Sequence, residues 1–449
     1  MEKISILLGK AVQKITRLKG NGGSALPGLV IEKTNPHFVQ EILAKLPYGV
    51  VVISGTNGKT TTTKIVTELL QKQGLKVFTN ETGSNFVRGV ISAILNHIKL
   101  NGDFDYDIAV LELDEAHAVK FCEIVPINYA LLLNVQRDQL DRFGEIDHTA
   151  ELLQKVATKA KRAVILNRED PRVSKIKAGN PLYFGLSDIL VKKFPSDDNL
   201  VEQSKAKAST KPARVVLKTL KDNHAVYEIN SKSLACNLLL KGIYNAYNAA
   251  GALALCLTIL PDTHPEEFVE DLAEVESAFG RGEIFKINNS DVELLLVKNP
   301  SAFQLSLASF ADDEHEYMIA INDHIADGRD VSWLWNVDFS ALPSVRMTAG
   351  VRATDMQLRL KYNDVKVAAT VEDLQTATIE FLNSSQKPKR IFATYTAMLE
   401  IRKIIAGKSI IWQLSIFCIY IQKKWIYTAI TATWLRCKNV ANGAASQPK

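Results

Sequence analysis

The run YGVVVISGTNGKTTTT at positions 48–63 holds the residue types that grip phosphate. Gly55 and Gly58 let the backbone bend around an anion with no Cβ in the way. Lys59 supplies a point charge for the β- and γ-phosphates of a nucleotide, and the Thr60 hydroxyl can ligate Mg²⁺. Thr56, Asn57 and Thr61 complete the set expected to bind ATP. A carboxylate at Glu112, closing the apolar run in AVLELDEAHA, can reach a Mg²⁺ held between Thr60 and the nucleotide, with Asp114 and Glu115 as close rivals. The chemistry this predicts is phosphoryl transfer, in which catalysis is mostly positioning and charge neutralisation.

Other polar constellations stand outside the glycine loop. LLLNVQRDQLDRFGEID places Asn134, Arg137, Asp138 and Asp141 just past an apolar strand. YNAYNAAGAL sets Asn245 and Asn248 three apart on one helical face, where amides can read an adenine edge. INDHIADGRDVSWLWNVDF gathers Asp323, Asp327, Asp330 and Asp338 with one Arg and two Trp.

These residues need elements to hold them. The β-branched run from Val50 to Ile53 reads as a strand over 49–54, the glycines as a turn, and 61–73 as a helix, which is the strand–turn–helix context of a phosphate cradle. The spacing G-x-x-G-K-T is shorter than the general G-x-x-x-x-G-K-[ST], with Ile53 where the first Gly would stand. Further strands are expected at 76–79, 108–112, 129–134 and 163–166, and helices at 84–95, 116–123 and 149–159. Strands alternating with helices imply a parallel sheet covered on both faces, with ligands beyond the strands' carboxyl ends. Residues 187–214 are polar and read as an insertion, and 215–239 as a hairpin-like stretch. After Arg281 a second alternating unit is expected, with strands at 293–298, 317–322, 345–349 and 390–394. The division predicted is an N-terminal helical segment (1–45), an ATP-binding domain (46–285), a smaller C-terminal α/β domain (286–408) and an apolar, aromatic tail (409–449).

Composition bounds the alternatives. The chain has 449 residues, 47% hydrophobic and 23% charged, which is ordinary for a globular protein with a sizeable core. A net charge of +5 without a Lys/Arg block interleaved with aromatics gives no support to nucleic-acid binding. Five scattered cysteines with no CxxC pair argue against a disulfide framework and fit a reducing cytosol. The N-terminus, interrupted by Lys10, Lys14 and Arg17, is not a secretory signal. It reads as an amphipathic helix with a basic face, packed on the first domain; the alternative is that it lies on anionic lipid at the inner face of the membrane. The uncharged stretch of the tail is shorter than the ~20 residues a bilayer span needs.

Taken together, GTNGKTTTT, LELDE, RDQLDRFGEID, YNAYNA, VKNPSAF, the DGRD loop, TAGVRATDMQLRLKY and ATYTAMLEIR resemble the MurT-type subunits of lipid II isoglutaminyl synthase, a branch of the Mur ligase superfamily. The resemblance runs from about Lys14 to Arg402. It implies an α/β fold with a Mur-ligase-like P-loop domain and a smaller C-terminal α/β domain. It implies ATP-dependent amidation of the D-glutamate α-carboxylate of lipid II through an acyl phosphate, for peptidoglycan synthesis. Ammonia would come from a GatD-type glutamine amidotransferase in a heterodimer. By the same resemblance, Asn248 contacts adenine, Arg281 in AFGRGE steadies the transferring phosphoryl group, and Asp330 completes a Cys-His-Asp triad in the partner. Gln139, at a histidine position of the superfamily, matches the variant of one branch; two departures are visible, Asn336 where relatives usually carry Asp and the apolar tail, which has no counterpart in the family. A third concerns zinc. Relatives have a four-cysteine ribbon, whereas 187–233 here holds no cysteine and Cys236 lies past it alone, so no structural zinc is expected. The competing readings are a stand-alone Mur- or folylpolyglutamate-type amino-acid ligase and a nucleotide-gated scaffold without enzymatic activity.

Overall fold

The computed structural model describes residues 2–18, 25–80, 86–136, 146–194, 207–276, 281–287 and 289–407. Three helices open the chain: α1 (Glu2–Leu18), α2 (Ala25–Thr34) and α3 (Phe38–Leu43). A parallel alternation follows, with strands β1 (Gly49–Ser54), β2 (Val77–Thr79), β3 (Ile108–Glu112), β4 (Tyr129–Leu132), β5 (Ala163–Asn167) and β6 (Pro181–Leu186). Between them run α4 (Lys59–Lys72), α5 (Val87–His97), α6 (Glu115–Ile124) and α7 (Ile146–Lys159), and a short α8 (Asp188–Val191) follows β6.

Side chains alternate across each strand, so one β-branched run feeds two cores. Val51 and Ile53 pack on one face with Ile65, Val66 and Leu69 of α4. Val50 and Val52 pack on the other with Ile94 of α5, Phe121 of α6 and Phe38 of α3. Burial on both faces explains why β1 is apolar throughout rather than alternating. β1 lies centrally, pairing in parallel with β3 (Ile53 opposite Glu112) and with β4 (Ser54 opposite Leu132). This register brings the ends of three strands to one edge, where the glycine loop begins.

The stretch expected as a hairpin is a three-stranded meander, β7 (Val215–Lys221), β8 (His224–Ile229) and β9 (Lys232–Asn237), that extends the same sheet. The sheet therefore has nine strands in the order β2-β3-β1-β4-β5-β6-β7-β8-β9, parallel through β7 and antiparallel beyond it. Positive φ at Asp222, Asn230 and Ser231 makes the tight turns of the meander. The helix α9 (Ile243–Ile259) is buried almost all round, which its Ala/Leu composition permits. Tyr227 donates to the Ala246 carbonyl at 2.9 Å and pins α9 over the meander. α10 (Pro265–Leu272) completes this domain.

The second sheet has six strands in the order β10-β11-β15-β12-β13-β14. They are β10 (Arg281–Ile287), β11 (Ser290–Leu296), β12 (Glu316–Ala320), β13 (Val345–Ala349), β14 (Val367–Val371) and β15 (Lys389–Ala393). Only the β10–β11 pair is antiparallel. Helices α11 (Pro300–Phe310), α12 (Ala353–Lys361), α13 (Leu374–Asn383) and a helical segment over 395–407 cover it. The division expected after residue 285 falls inside β10, so the second sheet starts at Arg281. β6, β10 and β14 were absent from the sequence expectation: β6 opens with a proline, and the other two are partly exposed edge strands. No described helix is long and apolar enough to cross a membrane. The tail from residue 408 onward lies outside the described residues.

Candidate active site

The glycine loop joins β1 to α4 and is fixed by amides from neighbouring strand ends. Asn134, just past β4, accepts from Asn57 N through its Oδ1 at 2.8 Å and donates from Nδ2 to Asn57 O at 3.0 Å. Its own carbonyl accepts from Thr56 N at 3.0 Å. Gln136 adds a second layer: its backbone N–H donates to Thr56 Oγ1 at 3.0 Å, and its Oε1 accepts from Asn57 Nδ2 at 2.6 Å. A loop held this way presents its geometry without reorganising when an anion arrives.

The two glycines are required by space as well as by backbone angle. Gly55 has φ +133 and Gly58 φ +89, a region that L side chains rarely adopt. A Cβ on Gly58 would lie 2.5 Å from Asn248 Oδ1 of α9. Gly58→Ala therefore meets both a left-handed backbone, costing about 1–2 kcal/mol, and a steric collision. We expect a lowered thermal midpoint and at least tenfold weaker ATP binding, read by calorimetry; unchanged affinity would mean that the loop does not hold the nucleotide.

Lys59 is buried, yet its charge is well supported. Its Nζ donates to Gly55 O at 2.7 Å and pairs with Asp114 Oδ1 at 3.1 Å. Burial pushes the ammonium toward neutrality, but Glu115, Asp114 and Glu112 outweigh it and hold the group above the ordinary lysine range. The three acids of the LELDE run thus divide the work that sequence alone left open. Asp114 and Glu115 face Lys59, while Glu112 Oε1 accepts from Thr60 Oγ1 at 3.0 Å. Asn80, at the end of β2, locks Glu112 through its backbone: Asn80 Nδ2 donates to Glu112 O at 2.8 Å and Glu112 N donates to Asn80 Oδ1 at 3.0 Å.

The residues fit MgATP. The loop is a cradle that a Cβ would fill, its lysine is charged, and a hydroxyl beside a carboxylate is the hard-oxygen donor set that Mg²⁺ prefers. Asn248 sits against Gly58, at the loop itself. Asn245, one turn earlier, donates to Lys241 O at 2.7 Å, and its buried Oδ1 has no hydrogen-bond partner among the described residues. Arg281 begins β10; its side chain, and Gly280, Arg137, Asp138, Gln139 and Asp141, lie outside the described residues.

The second domain reaches into this site, which sequence reasoning missed. Lys298 and Asn299 follow β11 at its carboxyl end. Lys298 Nζ donates to Thr56 O at 2.9 Å. Asn299 exchanges side-chain amide bonds with Asn57 at 3.1 and 3.2 Å while its Oδ1 also accepts from Ala302 N, capping α11. The signal in the sequence was VKNP: a cation and a cap residue just past an apolar strand, with proline at the first helical position.

The acidic loop after β12 resolves into separate roles. Asp323 is paired with Arg352 at 2.7 Å. Asp327 is buried and accepts from Thr396 N at 2.7 Å, Thr396 Oγ1 at 2.5 Å and His324 N at 3.2 Å, folding the loop back on the domain. Asp338 is exposed and accepts from Ser340 N at 3.0 Å. Asp330 is exposed too; its Oδ1 accepts from Ser332 N at 2.8 Å, and its Oδ2 takes no hydrogen bond among the described residues. Asn336 ends the 3₁₀ turn Ser332–Asn336 and is exposed.

Cysteine chemistry has no foothold in the described residues. Cys122, Cys236 and Cys256 are buried free thiols. Burial pushes Cys122 up to about 12 and Cys236 to about 11. Among the described residues no three His, Cys, Asp or Glu side chains gather as a metal site. A cleft of about 450 Å³ lined by His37, Cys122, Lys159 and Lys161 lies at the amino ends of β4 and β5, remote from the glycine loop.

Comparison with known proteins agrees with this geometry. The family model of the Mur ligase middle domain matches residues 53–256, and that of the MurT ligase C-terminal domain matches 296–398. The MurT subunit of lipid II isoglutaminyl synthase from Streptococcus pneumoniae is 28% identical over 446 residues, covering 91% of this chain and 98% of that protein. The MurT subunit from Staphylococcus aureus is 29% identical, covering 84% of this chain and 92% of that one. Among solved structures, MurF ligase of Thermotoga maritima in complex with ADP superposes with a TM-score of 0.63 at 19% identity, over 84% of this chain and 85% of that one. A pseudomurein peptide ligase of Methanothermus fervidus gives a TM-score of 0.63 at 17% identity, over 84% of each chain. The two-domain α/β architecture is thus that of the Mur ligases, and the chain belongs to the Mur ligase superfamily, in its MurT branch.

Proposed function

We propose that this chain is the synthetase subunit of a lipid II isoglutaminyl synthase, converting the D-glutamate α-carboxylate of lipid II to the amide at the expense of ATP. A carboxylate is a poor acyl donor because its leaving group would be oxide. Its oxygen attacks the γ-phosphorus of ATP, ADP departs, and the resulting acyl phosphate has phosphate as a leaving group. Ammonia then attacks the carbonyl carbon, phosphate leaves, and the nitrogen loses a proton to give the amide.

The chain's own residues position and neutralise. The loop from Gly55 to Thr61 cradles the phosphates, and Lys59 carries the charge that offsets them. Thr60 and Glu112 would hold Mg²⁺, which when bound supplies further neutralisation of phosphate charge. Asn248 and Arg281 are assigned to the adenine and to the transferring phosphoryl group. Lys298 brings a cation from the second domain to the same loop.

The ammonia comes from glutamine in a separate GatD-type amidotransferase. Asp330 is assigned to its triad: an exposed carboxylate with one oxygen fixed by its own turn can orient and stabilise a partner's imidazole. The observation that carries the reading is the meeting of Lys59, Thr60, Glu112 and Lys298 at one loop, supported by relatives named as MurT over most of the chain.

The test combines purified chain, ATP, Mg²⁺ and lipid II, with and without a GatD-type partner and glutamine, with mass spectrometry reading acid-to-amide conversion. Amidation that needs the partner, or added ammonia in its place, is expected. Partner-free incorporation of an amino acid would instead assign a stand-alone ligase.

A further inference from the structure

Helix α1 packs on its domain by a single face. A Cβ on Gly9 would lie 2.7 Å from Leu95 Cδ1 of α5 and 3.2 Å from Ile31 Cγ1 of α2. Ser5 and Ile6 are buried, Asn35 Nδ2 donates to Ser5 Oγ at 3.3 Å, and Gln13 Nε2 donates to Asn96 Oδ1 at 2.6 Å. Positions 5, 6, 9 and 13 share one side of a helix.

The other side carries the larger apolar residues. Ile4 is 71% exposed, Leu7 56%, Ile15 54% and Leu8 38%. Exposed Ala11 lies between them, so the stripe runs for about three turns without a polar break. A surface helix normally turns such a stripe to the core. Here the apolar stripe points to solvent, while Ser5, Ile6, Gly9 and Gln13 make the inward face. Single exposed leucines need no explanation, but a continuous apolar stripe marks an interaction surface. Exposed Lys3 and Lys14 border the stripe along one edge, and half-buried Lys10, two turns after Lys3 and one turn before Lys14, lies on that edge too. The helix sequence holds Lys3, Lys10, Lys14 and Arg17 against one acid, Glu2.

We propose that this face of α1 docks on an anionic phospholipid bilayer, lying in the interface plane with Ile4, Leu7, Leu8 and Ile15 inserted and the lysines among the headgroups. Charge decides between lipid and a second copy of the helix. A copy would bring like charges together along the same stripe, whereas an anionic leaflet attracts the lysines and accepts the apolar side chains. The surface goes beyond the amidation reading, to which it adds a means of meeting a lipid-borne substrate, but it rests on the packing of α1 alone.

The experiment is co-sedimentation of the full chain with phosphatidylcholine vesicles, with or without phosphatidylglycerol. Wild type should bind the anionic vesicles more tightly and lose binding as salt rises. Ile4→Gln/Leu7→Gln/Ile15→Gln should weaken binding at least tenfold. Lys3→Gln/Lys14→Gln should weaken it roughly 30-fold, the loss expected for two lysines held near an anionic surface. All five side chains are exposed, so both variants should keep wild-type thermal unfolding and nucleotide affinity. Because the tail is also apolar, the comparison between variants is the readout. Variants that sediment like wild type, equal binding to neutral vesicles, or a dimer dissociated by the triple substitution would each overturn the proposal. Failure of amidation with intact vesicle binding would remove the proposed reaction and leave this surface standing.

Discussion

Lys59→Ala should lower ATP-dependent turnover at least ~10³-fold, within the range seen when a charge that stabilises phosphoryl transfer is removed. The reason lies in what surrounds the ammonium. Burial alone would neutralise it, and the carboxylates of Glu115, Asp114 and Glu112 keep it charged. Its removal takes away the cation proposed to meet the phosphates and leaves Glu112, Asp114 and Glu115 without the counter-charge of this lysine. Both effects act against nucleotide, so affinity measured by calorimetry should fall together with turnover. Lys59→Arg separates charge from shape: a guanidinium keeps the charge but is too bulky for the contact with Gly55 O at 2.7 Å. It should recover part of the affinity and little of the turnover. Thermal unfolding of each variant guards against simple misfolding. Turnover of folded Lys59→Ala within tenfold of wild type would remove the nucleotide loop from the mechanism.

Asp330→Asn should suppress glutamine hydrolysis by the complex with a GatD-type partner by roughly 10²- to 10⁴-fold, while ATP binding stays intact. The amide keeps the side-chain shape and can still accept from Ser332 N through Oδ1, so the turn survives. It loses the negative charge that would stabilise a partner's imidazolium and favour the productive tautomer. Asp338→Asn is the matched control, because Asp338 is likewise exposed and likewise closes a turn, accepting from Ser340 N. Its glutaminase rate should stay at the wild-type value. Equal loss in both variants would point to general damage to the acidic loop; no loss in Asp330→Asn would end the assignment.

Much of this was written in local pattern. The strands β1 and β3 stand at the residues their apolar runs predicted, because a doubly covered parallel strand has to be continuously hydrophobic. The glycine loop was legible because bending around phosphate demands residues without a Cβ, a lysine and a hydroxyl at fixed spacing. Length and alternation also separated two α/β units. The motifs pointed to the superfamily that the matched family models bear out.

Other features depended on contacts between distant segments. Nothing in LELDE says which acid meets Lys59 and which meets Thr60; that follows from how β3 ends beside β1 and where α6 begins. The four carboxylates of the DGRD loop look alike in sequence, yet one is paired with Arg352 and another is buried under Thr396, while Asp330 and Asp338 remain exposed. Lys298 and Asn299 lie 242 positions from their partners Thr56 and Asn57, a separation that no local pattern encodes. The outward stripe of α1 is the clearest case. Periodicity establishes that a helix has an apolar side, but only the packing of Gly9 against Leu95 and Ile31 fixes which side the protein keeps for itself. Short-range chemistry therefore determined most of the elements and the glycine loop, and tertiary structure decided pairing, exposure and the reach of the second domain, because those depend on which surfaces the folded chain brings within a few ångströms of one another.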